Sequence, residues 1–285
     1  MTHATKVYSL IVILMFVGLG LRLMHFSHTT FAYDQARDAF QALEIMSTDP
    51  IKIIGPTTDI SGLFHGSLYW YIISVPYALS QGNPLAVKLV MILLHLFNIP
   101  LIYIISYKLT RNHLLAGLAA MLMAFSFDAI SYARWLSNPT LATLSIAGFF
   151  YGLWLSFHKK SIGAGLMLVM WALCVQFQFF LLYLMPFMFV GWYRLAKDLG
   201  VKHLFNVKNI LLACIGGVFL APFVISEVKF GFQGTRSLLQ FFFTNNHTRS
   251  DFSLIGKEIL FLDRLAGNAF YSIIGIHLNL SLIHI

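Results

Sequence analysis

Apolar residues run along this chain in long stretches, broken by short polar connections and by one polar interval of about 60 residues, 25–83. An α-helix needs about 20 residues to cross roughly 30 Å of hydrocarbon, rising about 1.5 Å per residue. Seven stretches come near that length: Val7 to Met24, Pro84 to Tyr107, Leu114 to Phe127, Leu141 to Phe157, Ile162 to Val175, Phe179 to Trp192 and Ile210 to Ile225. A further apolar stretch opens near the C-terminus. The first span is followed by Gly20-Leu21-Arg22-Leu23 with no small-x-small cleavage site, which makes it an uncleaved anchor rather than a signal peptide. The pattern predicts an all-α polytopic membrane protein, with about seven transmembrane helices and one or two surface helices in the 25–83 loop.

A loop that long between helices is usually functional. At helical spacing, Asp34, Arg37, Asp38 and Gln41 fall on one face and Ala36, Phe40 and Leu43 on the other, as in a helix lying along the membrane surface. Asp49-Pro50 would end it. The polar face either solvates the helix, with Arg37 neutralising its acidic neighbours, or holds chemistry. Asp34 differs in position, opening the helix just beyond the first span.

The loop's second half, Gly55 to Gly66, is rich in turn residues, and Leu68 to Leu79 reads as a second surface helix or shallow re-entrant segment. His65 at its entry is either a hydrogen-bonded structural residue or a catalytic one. In the next outer loop, Asn138 is suited to cap the helix that Pro139 begins. Arg134 offers a planar fork suited to phosphate, or else pairs with Asp128. Gln176 and Gln178, at a third outer turn, either satisfy helix ends or touch a sugar.

Charge orients the chain. Lys6, Lys108, Arg111, Lys159, Lys160, Arg194, Lys197, Lys202 and Lys208 fall on one side of the spans, and cytoplasmic loops are the ones that collect Lys and Arg. Asp34, Asp38, Glu44, Asp49, Asp59, Asp128 and Glu227 fall on the other side, so the N-terminus is expected inside. The formal charge of +8 is then a topology signal and argues against nucleic-acid binding. With 58% apolar and 11% charged residues and a mean hydropathy of +0.77, the 285-residue chain has more apolar surface than one soluble domain buries. Cys174 and Cys214 sit inside apolar spans, and no P-loop, GxGxxG or HExxH motif is present. Asn246-His247-Thr248 fits a glycosylation sequon, a motif too common by chance to carry weight.

The anchor, the outer loop opening Tyr33-Asp34-Gln35-Ala36-Arg37-Asp38, and the later loop ending Leu136-Ser137-Asn138-Pro139 together resemble the GT-C superfamily of glycosyltransferases. Within it, the chain is most similar to the protein O-mannosyltransferase and lipid A aminoarabinose transferase branch. The resemblance covers about the first 235 residues, and the order and spacing of short motifs carry it.

The resemblance implies transfer of a sugar from a polyprenyl-phosphate donor to a lipid, glycan or protein acceptor on the extracytoplasmic face, usually with inversion. Asp34 takes the place of the family's base, while Arg134 and His65 are the candidates for the departing phosphate. Gln35, Arg37, Asp38, Asn138 and Gln178 are supporting or substrate-binding candidates. This chain departs from the family in carrying Gln35 and Asn138 where acids are common, and His65 where the aminoarabinose branch has a lysine. The missing acids weaken a paired acidic site, so no obligatory metal or other cofactor is expected, a divalent cation having only Asp34 and Asp38 as sparse ligands.

The expected organisation is a module over 1–227 followed by an outer segment over 228–285, in a bacterial inner membrane. Family members are commonly longer, so a truncated C-terminus is expected. Two other classes remain open, a transporter or lipid flippase and a non-catalytic accessory subunit.

Overall fold

The computed structural model describes residues 3–244 together with 267–269, 271–273 and 275. The sequon at Asn246 and the apolar C-terminal stretch lie outside the described residues. Among the described residues every regular element is helical, apart from an isolated antiparallel bridge between Thr57 and Phe64.

The chain opens with α1 (His3–Leu23), followed by the two loop helices α2 (Tyr33–Ile45) and α3 (Leu68–Leu79). The stretch read as one span from Pro84 is a helical run in two parts, α4 (Pro84–Leu96) and α5 (Asn98–Thr110). Pro100 explains the joint, because it has no N–H to give the carbonyl one turn back. Next come α6 (His113–Phe125) and α7 (Phe127–Arg134), bent by 50° at Ser126, whose hydroxyl accepts from the Ala129 N–H to start the second helix. The remainder is α8 (Pro139–Phe157), α9 (Ile162–Phe177), a 3-10 turn (Phe179–Leu184), α10 (Met185–Leu199), a short 3-10 turn (Val201–His203), α11 (Val207–Lys229) and α12 (Gln233–Thr244).

By length and composition five of these runs can cross a membrane: Thr5–Leu23, Pro84–Thr110, Pro139–Phe157, Phe179–Leu199 and Val207–Lys229. The bent pair α6 and α7 makes a sixth if taken together. The span expected at Ile162 is α9, whose 16 residues fall short of a full crossing by themselves.

That helix is nonetheless the most enclosed of the bundle, packed between α8 and α11. Small residues permit this: a Cβ on Gly163 would lie 2.6 Å from the Gly152 carbonyl oxygen, so the α8 and α9 backbones nearly touch. One buried cluster joins α2, α3, α4, α8, α9 and α10 through residues such as Trp70, Met91, Phe149 and Met167. A second joins α1, α5 and α6 around Ile99, Tyr103 and Ala120.

The loop helices are part of this core. α2 buries Gln35, Asp38, Ala42 and Ile45, while Phe40 and Leu43 remain exposed. Of the two readings of the polar face, solvation does not hold for Asp38, which is buried against α3. α3 begins and ends where the sequence placed it, and it buries Tyr69, Trp70, Ile73 and Tyr77.

Candidate functional site

Three polar tethers fasten the 25–83 loop and the turn before α8 to neighbouring helix ends. Gln35 Oε1 accepts from the Ala32 N–H and its Nε2 donates to the Leu136 carbonyl, which ties the start of α2 to the loop after α7. The Gly66 N–H donates to the Gln176 carbonyl over 2.9 Å, and Gln176 Oε1 accepts from the Leu68 N–H. Asn138 Nδ2 donates to the Phe177 carbonyl. Asn138 therefore does not cap α8 with its side chain, as its place before Pro139 suggested; it bridges the turn before α8 and the end of α9.

On this frame Arg37 organises the charged cluster. Its Nη1 lies 2.9 Å from Asp34 Oδ1 and 2.8 Å from Thr57 Oγ1, while Nη2 lies 2.9 Å from Asp38 Oδ1. The two carboxylates differ sharply in exposure, 67% for the Asp34 side chain against 4% for Asp38. Asp38 Oδ1 also accepts from Trp70 Nε1 at 2.9 Å. Burial pushes the Asp38 carboxyl above its ordinary value, and the bonds from Trp70 and Arg37 oppose that rise. Asp34, with one oxygen on Arg37 and most of its surface in water, is the carboxylate an incoming group can reach.

His65 is joined to this cluster through a single stretch of backbone. Thr57, which Arg37 holds, is bridged to Phe64, and the His65 N–H donates to the Pro56 carbonyl over 2.8 Å. The ring's Nδ1 accepts from the Phe179 N–H at 2.9 Å, which leaves the proton on Nε2. Burial lowers its pKa to about 4, so at neutral pH it is an uncharged donor. A phosphate would meet a single N–H there and no cation.

Arg134 lies elsewhere. It lines a polar cleft of about 290 Å³ with His28, Thr29, Thr30, Ser131 and Trp135, and its Nη2 donates to the His25 carbonyl at 3.2 Å. It forms no ion pair with Asp128 among the described residues; Asp128 accepts from the Ser272 hydroxyl. The structure thus brings Asp34, Arg37 and Asp38 together, turns the His65 ring into a different cavity beside Phe179, and puts Arg134 in a separate cleft. Gln178 Oε1 is buried with no partner among the described residues.

Several residues that matter were not singled out from the sequence. Lys88, buried at the start of α4, donates from Nζ to the Phe26 and His28 carbonyls and to Thr29 Oγ1, and so shapes the back of the Arg134 cleft. A lysine at the start of an apolar run, where the sequence otherwise carries little charge, was the available signal. Arg22 is fully buried and donates to the Gly18, Met123 and Ala124 carbonyls, closing the end of α6. Trp70 and Thr57 carry no distinguishing sequence signal, because their roles depend on contacts across the loop.

Comparison of the chain with protein-family models, with curated proteins and with solved structures gives no match.

Proposed function

We propose that this protein is a membrane glycosyltransferase that moves a sugar from a polyprenyl-phosphate donor to an acceptor on the extracytoplasmic face. The observation that carries the reading is the contrast between the two carboxylates on Arg37: one buried and anchored, one exposed and aimed outward at the start of the loop helix. In this reading the five long helices, the bent pair and α9 form seven crossings, with α2 and α3 on the outer side and the N-terminus in the cytoplasm.

The chemistry follows from the groups present. An acceptor hydroxyl or amine attacks the anomeric carbon from the face opposite the phosphate and gives its proton to Asp34. The bond between the anomeric carbon and the phosphate oxygen breaks, and the electron pair leaves with the polyprenyl phosphate. Arg37 fixes the Asp34 rotamer by holding Oδ1, so Oδ2 is free for the proton. A positioned base of this kind is worth about 100- to 10,000-fold. The Arg134 cleft, which the Gln35 to Leu136 bond ties to the start of α2, supplies the charge for the departing phosphate in this reading, and Lys88 behind it adds to the same field.

One observation favours a lipid-translocating protein instead. Arg22 and His95 are both buried within electrostatic reach of each other inside the bundle, and buried ionisable groups in spans mark transport pathways. Three backbone carbonyls already hold Arg22, which fits a structural role. Label transfer from a polyprenyl-phosphate sugar, compared between wild type and Asp34→Asn, separates the two.

A further inference from the structure

A second cavity, of about 220 Å³, lies between the tip of the first outer loop and the end of the chain's described bundle. Gly62, Phe64 and His65 form one wall, Phe179 and Phe223 the floor, and Glu227 with α12 the roof. Close approaches on both sides build it. Gly62 has φ +82°, and a Cβ there would lie 2.6 Å from Ser237 Oγ, so α12 rests directly on the loop. A Cβ on Gly234 would lie 2.4 Å from Glu227 Oε1, so the carboxylate lies directly against the start of α12 and any side chain there would push it aside.

The polar groups of the lining are matched and uncharged except for one acid. Glu227 Oε2 accepts from the Thr235 N–H at 3.1 Å and from its hydroxyl at 2.7 Å, which fixes the carboxylate plane. Oε1 has no hydrogen bond among the described residues. His65 Nε2–H is likewise open, since Nδ1 holds the Phe179 N–H. Ser226, whose hydroxyl donates to the Phe223 carbonyl, retains free lone pairs. The rings of Phe179 and Phe223 stand 6.0 Å apart at 52° and give the floor an apolar face.

Those features select a ligand. The lining holds no lysine or arginine, so Glu227 would repel a phosphate or carboxylate. A cavity below the ~300–1,000 Å³ of a drug-sized site admits one small ring and no lipid chain. A fixed carboxylate accepting two hydroxyl protons, one neutral N–H donor and aromatic faces for C–H groups are what an uncharged sugar ring requires.

We infer that this cavity is a binding subsite for one uncharged pyranose ring, held by Glu227 and His65 against Phe179 and Phe223. The inference rests on the transferase reading for its biological sense, and on the cavity alone for its chemistry. The segment 55–66 that walls the subsite is also the one Arg37 grips through Thr57, so ring and base share a support.

The test is saturation-transfer difference NMR on the full chain in nanodiscs, with a panel of methyl hexopyranosides at millimolar concentration. Wild type and Asp34→Asn should both transfer magnetisation to ring protons. Glu227→Leu, and Leu238→Trp, which fills the cavity from α12 without removing a polar group, should each cut the signal about tenfold or more. No signal from wild type with any glycoside, or equal signal from wild type and both pocket variants, overturns the subsite. Since Asp34→Asn must still bind, failure of the transferase reading would not imitate failure here. Adding a saturating polyprenyl-phosphate sugar distinguishes the source of the ring: displaced glycoside means the donor's sugar occupies the subsite, and retained glycoside means the acceptor's does.

Discussion

The indole N–H of Trp70 donates to Oδ1 of Asp38 over 2.9 Å, so α3 holds the carboxylate that in turn holds Arg37. The exposed Asp34 therefore depends on a buried contact it does not itself make. Its geometry is set three residues and one helix away.

Trp70→Phe keeps an aromatic ring on α3 but removes that N–H together with part of the buried indole volume. Asp38 is 3% exposed, so losing a donor should cost about 1–3 kcal/mol. Thermal unfolding should show the loss, with Asp38→Asn in the same background recovering part of it. An unchanged melting temperature in Trp70→Phe would mean the bond carries nothing.

Two groups give the fold opposite pH dependences. His65 has its folded pKa lowered to about 4 from 6.5, so its stabilisation is full above 6.5 and lost as pH falls from 6.5 through about 4. That difference corresponds to about 3 kcal/mol at neutral pH. Asp38 has its folded pKa raised above 3.8, so its contribution is favourable below 3.8 and is lost as pH rises through the raised value. His65→Gln, which keeps an acceptor for the Phe179 N–H, should flatten the decline in stability between pH 6.5 and 4. Parallel curves for His65→Gln and wild type across that window would contradict the assignment.

Gly66 packs against α9 with no room for a side chain: a Cβ would lie 2.8 Å from the Gln176 Cα. Gly66→Ala should destabilise by on the order of 3 kcal/mol and expose the 55–66 segment to proteolysis. Wild-type protease resistance in this variant would show that the loop is not seated on α9.

Arg134→Lys retains the charge in the outer cleft and loses the planar fork. Under the proposed function it should lower kcat/KM for the polyprenyl-phosphate donor about tenfold, with kcat falling as well. An unchanged kcat/KM would place the phosphate elsewhere.

Run length made much of the architecture legible in the sequence. The long helices at Val7, Pro84, Leu141, Phe179 and Ile210 follow from continuous apolar stretches, and the edges of α3 follow from Gly66 before it and Ser80 to Asn83 after it. The inward turn of α2 was not legible. Its apolar Phe40 and Leu43 stay off the protein core, as a helix along a membrane surface leaves them, while the polar face packs inward because Trp70 and Arg37 satisfy Asp38.

The candidate site was legible in part for the same reason. Asp34 and Arg37 are neighbours on one helix, and spacing predicts their contact. His65 reaches them only through the Thr57 to Phe64 bridge, a pairing across a turn that no periodicity encodes. The separation of Arg134 from this cluster, and the cavity closed by Glu227, both depend on how α12 and the 25–83 loop fold back over the helix ends.

The central claim is tested most directly by measuring transfer of a radiolabelled sugar from a panel of polyprenyl-phosphate sugars, in membranes holding wild type or Asp34→Asn at equal expression. The account predicts transfer by wild type with at least one donor and a loss of about 100-fold or more in Asp34→Asn. Equal transfer by both would remove Asp34 from the chemistry, and no transfer by wild type with any donor would contradict the transferase reading.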